Sequence, residues 1–470
     1  MKVLLSRWQF GVTITYHFLF VPLTIGLAFL VAVMSVLAYR GDGTWDRLAR
    51  FFGTQFLINF AMGVVTGIVQ EFQFGMNWSN YSVFVGNIFG APLAMEGLLA
   101  FFAESTFVGI WIFGRGRLPP LIHTLSICLV SLGTIVSAFF ILTANAWMQH
   151  PVGYRIAGHG AGRKALLTDF WAVLRNSTLW AEFSHTVLAA FVTGAMFMLG
   201  VSAWHLLRGH NVAAFTRSAK LSACVALVGV TLVIVTGDIQ ARLMDTQQPM
   251  KMAAAEAVYR TQSGASFSLL TIGNLSGQPI FQIRIPHLLS LIATLSWNGK
   301  VTGVAGAQHA EVVRYGPGSY IPVLWVTYWS FRLMVGLGFV ILIMSAWALW
   351  RSRHRGKPFE LGRWTLWVLV ACIAAPFLAN TFGWLFTEMG RQPWIVYGLM
   401  KTGLASSPTV STADVAFTLA GFVLIYTVLG IIDVVLMYMA ARRGLGPAEE
   451  DHPPGQPGAP GEPAAQEFVY

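Results

Sequence analysis

Ionisable side chains stand inside long apolar runs at five places: His17 in TITYHFLFVPLT, Glu96 and Glu104 in GAPLAMEGLLAFFAESTFVG, His185 in AEFSHTV, Arg332 beside Met334 in SFRLMV, and Glu388 with Arg391 in GWLFTEMGRQPW. Such groups cost several kcal/mol in hydrocarbon and mark function by default. Imidazole, thioether and carboxylate together form a haem-ligand set. They suit Mg poorly and lack the thiolates of an iron–sulfur cluster. Each has a plainer reading. A lone His can be a packing residue, a lone Met is core filler, and Arg332 and Arg391 can snorkel or pair locally. The two carboxylates are harder to explain by packing, since they call for protons, metals or charged partners. On a straight helix Glu96 and Glu104 differ by about 80° in azimuth and about 12 Å in height. That spacing suits a proton relay better than a single site, and Ser137 and Asn145 share it.

The elements that carry these groups follow from composition. The chain has 470 residues, 55% hydrophobic and 11% charged, against roughly 25% charged in soluble proteins. So few charges cannot cover a water-facing surface, which argues against a soluble enzyme, a nucleic-acid-binding protein or a disordered scaffold. The fold class is an all-α integral membrane protein. A spanning helix needs about 20 apolar residues, which predicts about nine of them, near 10–38, 52–72, 89–114, 120–147, 181–206, 218–238, 322–349, 364–388 and 413–440. The first run is far longer than a signal-peptide core and reads as a retained span. No short-period repeat stands out.

Alternate loops are short and basic: Arg40, Arg47, Arg50; Arg115, Arg117; Arg208, Arg217, Lys220; Arg351, Arg353, Arg355, Lys357, Arg363; Arg442, Arg443. The opposite loops include Glu71 to Asn87, which holds no Lys or Arg. This bias predicts an outside N-terminus and a cytoplasmic C-terminus. His17, Glu96, His185 and Glu388 then fall at similar depth toward the outer surface, as a cofactor site there requires. The net charge of +10 points to anionic lipid headgroups, not nucleic acid. Residues 1–238 carry six spans, 239–321 form an outer loop, 322–442 carry three more spans, and 443–470 read as a disordered cytoplasmic tail rich in Pro, Gly, Ala and Glu. Cys128, Cys224 and Cys372 lie in apolar segments and read as buried thiols.

The runs SRWQFGVTITYHFLFVPLTIG, EFQFGMNWSNYSVFVGNIFGAPLAMEG, FFAESTFVG, LTANAWMQHP, HTVLAAFVTGAMFMLG, KMAAAEA, FRLMV and GRQPW resemble subunit I of the cytochrome bd quinol oxidases over nearly the whole chain. The resemblance implies a multi-pass subunit of a bacterial plasma membrane holding three haems: low-spin haem b, high-spin haem b and haem d. His185 and Met334 match the low-spin iron ligands. His17 and Glu388 match the high-spin iron ligands, with Glu96 close by and their assignment between the two haems open. Arg332 and Arg391 match counter-charges for haem propionates, and Trp384 joins the cofactor-binding set. Lys251 and Glu256 match the pair implicated in quinol oxidation in an outer loop, while Glu104, Ser137 and Asn145 match a proton route to the oxygen site. The loop after Glu256 lacks the long insertion of some relatives, which places the chain in a short-loop branch.

The implied activity is quinol oxidation coupled to reduction of dioxygen to water, with protons taken from the cytoplasm and released outside without a pump. A cyanide-insensitive variant with haem b in place of haem d keeps the same ligands. A proton-coupled transporter using Glu96 and Glu104 is the rival class, though transporters usually show internal repeats and broken helices. The expected partners are a second, similarly sized subunit, small single-span accessory subunits and the membrane quinone pool.

Overall fold

The computed structural model describes residues 1–274, 278–352 and 361–445. Among the described residues nine helices are long and apolar enough to cross a membrane. They are span 1 Lys2–Tyr39, span 2 Gly43–Met76, span 3 Ser79–Phe113, span 4 Pro120–Gln149, span 5 Ser177–Leu207, span 6 Val212–Gln247, span 7 Leu324–Arg351, span 8 Arg363–Gly390 and span 9 Thr412–Arg442. Arg353, Arg355 and Lys357, with the tail from 446 onward, lie outside the described residues. The face that bears the N-terminus is called the N-face below.

Most helices overrun their apolar stretch. Span 6 continues to Gln247, well past the expected end near 238. Its extension ARLMDTQ holds good helix formers and no breaker before Pro249, and Arg242 pairs with Asp238 one turn back. Span 2 likewise runs to Met76, so the expected loop from Glu71 to Asn87 is two helices joined at Asn77 and Trp78. Charge-poor polar residues had looked like loop, yet Gln and Glu support a helix well.

Two spans depart from regular α geometry at sites of interest. Span 3 is α-helical over Ser79–Met95, turns π over Glu96–Phe101 and resumes over Phe102–Phe113. Span 8 breaks at Cys372 and Ile373 between Arg363–Ala371 and Ala374–Gly390. Pro376 accounts for that break, because its ring clashes with the carbonyl four residues back.

The apolar core fills the half of the bundle away from the N-face. Leu27, Leu30, Val31 and Met34 of span 1 meet Phe52 and Phe56 of span 2 and Met196, Met198 and Leu199 of span 5. At the crossing of spans 1 and 5, a Cβ on Gly26 would lie 2.7 Å from Gly194 N, and one on Gly194 would lie 2.7 Å from Gly26 Cα. Only glycine permits that approach. The half nearer the N-face carries the polar residues.

Connections on the N-face are structured. Residues between spans 6 and 7 form a short helix Pro249–Ala255, an antiparallel hairpin of Phe267–Asn274 with Gln278–Ile285, and helices Leu288–Thr294 and Val304–Tyr315. Val304 N donates to Val258 O at 2.8 Å, and the Ser268 and Tyr328 hydroxyls meet at 2.8 Å, tying this unit to span 7. Of the three cysteines, all free, only Cys372 is buried; Cys128 is half-buried and Cys224 is exposed. The expectation of three buried thiols is corrected, since Cys224 lies on an apolar face of span 6 open to lipid.

Candidate functional site

His17 and His185 are held by one device. His17 Nδ1 meets Thr66 Oγ1 of span 2 at 2.9 Å, and His185 Nδ1 meets Thr236 Oγ1 of span 6 at 3.1 Å. Each threonine hydroxyl already donates to its own helix, Thr66 to Met62 O at 2.9 Å and Thr236 to Leu232 O at 3.0 Å. A hydroxyl has one proton to give, so it accepts from Nδ1–H and leaves Nε2 bare on both rings. Bare Nε2 is the form that ligates a metal. Each ring also rests on the glycine after its threonine: a Cβ on Gly67 would lie 3.1 Å from His17 Cε1, and one on Gly237 would lie 3.4 Å from His185 Cε1. Met334 is seated in the same way, its sulfur 2.9 Å from a Cβ built on Gly383 of span 8.

Glu388 closes span 8, where its carboxylate accepts from Arg391 Nη2 and, at 3.2 Å, from Asn145 Nδ2. Arg391 Nε donates to Trp394 O at 3.3 Å, while its Nη1 is enclosed without a partner. Trp384 stands one turn before Glu388, half-buried.

Span 4 serves as a ruler for the carboxylates. A Cβ on Gly133 would lie 3.3 Å from Glu104 Cγ, and Ser137 Oγ donates to Glu96 Oε1 at 2.7 Å. Asn145 reaches Glu388, and Gln149 Nε2 donates to Asn145 Oδ1 at 3.4 Å. Gln149 Oε1 accepts from Lys251 Nζ at 3.4 Å and from Gln248 Nε2 at 2.9 Å. Residues 133, 137, 145 and 149 differ by multiples of four and lie along one ridge, spanning about 24 Å.

This ridge sharpens one expectation, that Glu96 and Glu104 point to roughly one side, and corrects another. A π turn absorbs one extra residue and turns the following helix back by about 100°, so Glu96 and Glu104 both face span 4 instead of diverging by a straight helix's angle. The costly groups do not share one depth. Glu96 lies about 12 Å further from the N-face than Glu388 along span 4, because span 3 begins earlier than its apolar run.

Lys251 and Glu256 part company. The Lys251 stem crosses Gly390, where a Cβ would lie 2.8 Å from Lys251 Cγ, and the ammonium sits 5.3 Å from the Phe386 ring centre. Glu256 pairs with Arg332 Nη2 at 2.5 Å and accepts from Ser268 N at 3.3 Å. Arg332 lies over the Phe267, Tyr328 and Phe331 rings, with Nε and Nη1 unpartnered. Both side chains are buried, Lys251 at 7% and Glu256 at 2% exposure, so neither belongs to a solvated surface pair. Burial pushes the Lys251 ammonium below its ordinary range, and the Glu182 charge is the largest force holding it up. Burial lifts the Glu256 carboxyl above its usual range against the pull of Arg332.

The donor set fits haem. Among the described residues no three His, Cys, Asp or Glu side chains converge as a bare metal-ion site. A macrocycle supplies four nitrogens of its own and asks the protein for one or two axial donors. Two bare imidazole nitrogens, a seated thioether and a terminal carboxylate are such donors. The unpartnered N–H groups of Arg332 and Arg391 can take propionate oxygens.

The comparisons with known proteins agree. The chain matches cytochrome bd terminal oxidase subunit I over residues 5–445. It belongs to that family. It is 45% identical to cytochrome bd ubiquinol oxidase subunit 1 of Bacillus subtilis (strain 168), over 96% of this chain and 95% of that one. It is 36% identical to cytochrome bd-II ubiquinol oxidase subunit 1 of Escherichia coli (strain K12), over 97% and 99%. The solved bd oxidase of Geobacillus thermodenitrificans superposes with a TM-score of 0.86 at 29% identity, covering 94% of this chain and 98% of that one. The chain is thus the catalytic subunit of a membrane quinol:oxygen oxidoreductase, a haem enzyme of the respiratory chain that works with a second subunit.

Sequence reasoning missed several residues of this bd-family site. Gln149 and Gln248 are amides without charge, so only tertiary contact reveals them. Glu311, which accepts from Trp394 Nε1 at 3.0 Å and Tyr397 Oη at 3.4 Å, carries no sequence signal of those partners. Glu182 had a signal, a carboxylate three residues before His185 in AEFSHTV. The threonine–glycine seats had one too, since VTGIVQ at 65–70 recurs as VTGDIQ at 235–240.

Proposed function

We propose that this subunit oxidises membrane quinol at its N-face and reduces dioxygen to water within the bundle, separating charge without a pump. The observation that carries the reading is the pair of threonine-oriented histidines, each presenting Nε2 from a different half of the chain. His185 and Met334 hold a low-spin haem b. His17 and Glu388 hold a high-spin haem b and a haem d, with Glu96 beside them and Trp384 packed in the same set. Arg332 and Arg391 neutralise propionates. When bound, the haems supply one-electron transfer from quinol to dioxygen and the iron that binds oxygen.

The chain's own residues set the proton traffic. Glu104 and Glu96 of span 3 meet the span 4 ridge at Gly133 and Ser137 and, with Ser137, bring protons from the face opposite the N-terminus, with Asn145 at the upper end orienting Glu388. Protons from quinol leave on the N-face, where Lys251 and Glu256 bind the substrate in the unit between spans 6 and 7, expected over 239–321. The basic loops support an outside N-face and a cytoplasmic C-terminus, and the family resemblance supports a bacterial plasma membrane. Small single-span subunits join the two main ones.

A reduced-minus-oxidised spectrum of the purified complex tests this. Low-spin haem b, high-spin haem b and a chlorin band well to the red support it. A spectrum with no six-coordinate haem b overturns it, and haem b alone in an active enzyme identifies the cyanide-insensitive variant.

A further inference from the structure

Glu182 lies on span 5 within the site yet has no assigned part. The start of span 5 is stitched to the end of span 6: Gln240 Nε2 donates to Ala181 O at 3.2 Å, and Thr178 Oγ1 to Gln247 Oε1 at 2.6 Å. One turn inside that seam, Glu182 Oε2 is enclosed and accepts no hydrogen bond among the described residues. A carboxylate oxygen left this way in an apolar wall is costly and needs a partner. Lys251 is the charge that acts on it most strongly, and its stem enters over Gly390 against span 8. The other charges that reach Glu182 are Glu388 and Arg391, which pair with each other, and His185 stands one turn along its own helix.

Glu256 is placed differently, although burial lifts its carboxyl above its usual range as well. Its carboxylate is committed to Arg332 and to the Ser268 N–H. Adding a proton there gives up part of an existing ion pair and hydrogen bond. Glu182 loses no hydrogen bond at Oε2 when it gains a proton.

We propose that Glu182 is the base that takes a quinol hydroxyl proton, with Lys251 holding the resulting quinolate oxygen. The inference rests on the N-face unit being the quinol site. In the step the quinol O–H bond breaks and a Glu182 O–H bond forms. The bonding pair stays on the quinol oxygen, whose negative charge faces the Lys251 ammonium. The quinolate then gives up its electrons in the enzyme's established reaction, and Glu182 releases its proton to water on the N-face. With Glu182 ionised, two carboxylates balance Lys251 and Arg391. After proton uptake the cluster is net positive, which favours a bound quinolate.

The test uses the purified two-subunit enzyme with a short-chain quinol, and with tetramethylphenylenediamine as a donor that needs no proton acceptor. The variants are Glu182→Gln, Glu182→Asp, Lys251→Met and Glu256→Gln. Glu182→Gln should lower quinol kcat by about tenfold or more with little change in KM, keep every haem band and keep diamine oxidation. Glu182→Asp should recover part of the rate with a displaced acid limb of the pH profile. Wild-type quinol turnover by Glu182→Gln at every pH overturns the inference. So does equal loss of both donors, which would make Glu182 structural. If Lys251→Met and Glu256→Gln also leave quinol turnover intact, the quinol site itself is misplaced and the underlying reading falls.

Discussion

Spans 1 and 2 and spans 5 and 6 solve the same problem with the same parts. His17 bonds a threonine 49 residues on, and His185 bonds one 51 residues on, each followed by the glycine that seats the ring. Nine residues after each histidine comes a glycine, Gly26 and Gly194, and these two touch each other. Equivalent residues meeting at one contact mark a pseudo-twofold axis between the halves. The halves then diverge. Span 3 contributes Glu96 and Glu104, whereas span 7 contributes Arg332 and Met334. A shared scaffold fixes the imidazoles, and the third helix of each half decides the chemistry. On the proposed reading, Met334 would join His185 as a haem-ligand pair suited to electron transfer in one half, and Glu96 and Glu104 would carry protons in the other.

The largest expected effect separates the halves outright. His185→Ala or Met334→Leu should remove the six-coordinate haem b signal while oxygen-site bands partly survive, and His17→Ala should do the reverse. Loss of all bands in either variant would show that the halves do not fold around their haems independently. Gly26→Ala should come next, because its Cβ would lie 2.2 Å from Ala190 O in backbone that cannot give way. A loss of about 1–3 kcal/mol, read as a lower Tm with both haem classes affected, is expected from a contact on the axis.

Glu104→Gln keeps shape but cannot exchange a proton, so turnover should slow with all haems retained. Single-turnover oxidation of the reduced enzyme by oxygen should show delayed proton uptake; unaltered uptake would take Glu104 off the path. Thr66→Val and Thr236→Val release the ring tautomer and should each weaken only their own haem, by roughly 10- to 100-fold in affinity. The smallest effect concerns pH. The Lys251 ammonium is held below its ordinary range by burial, so it loses charge as pH rises and quinol oxidation falls on the alkaline side. Lys251→Arg keeps its charge and should carry activity to higher pH; an unmoved alkaline limb would show that another group sets it.

The nine spans were legible because hydrocarbon admits no unpaired backbone, so an apolar run of sufficient length has one outcome. His17, His185 and Glu388 stood out through their cost in lipid, whereas Met334 drew notice only beside Arg332 and through the family resemblance. What the residue types could not reveal is which neighbours each group meets. The π turn at Glu96 realigns two carboxylates onto one ridge, and nothing in the spacing of Glu96 and Glu104 announces it. Lys251 and Glu256 stand five apart, yet one turns to Gln149 and the other to Arg332, because spans 4 and 7 approach the loop from different sides. Composition and periodicity settle what must leave water. Only the packing of the helices decides which glycine seats which side chain, which threonine leaves a ring nitrogen bare, and which carboxylate oxygen is enclosed without a hydrogen bond among the described residues.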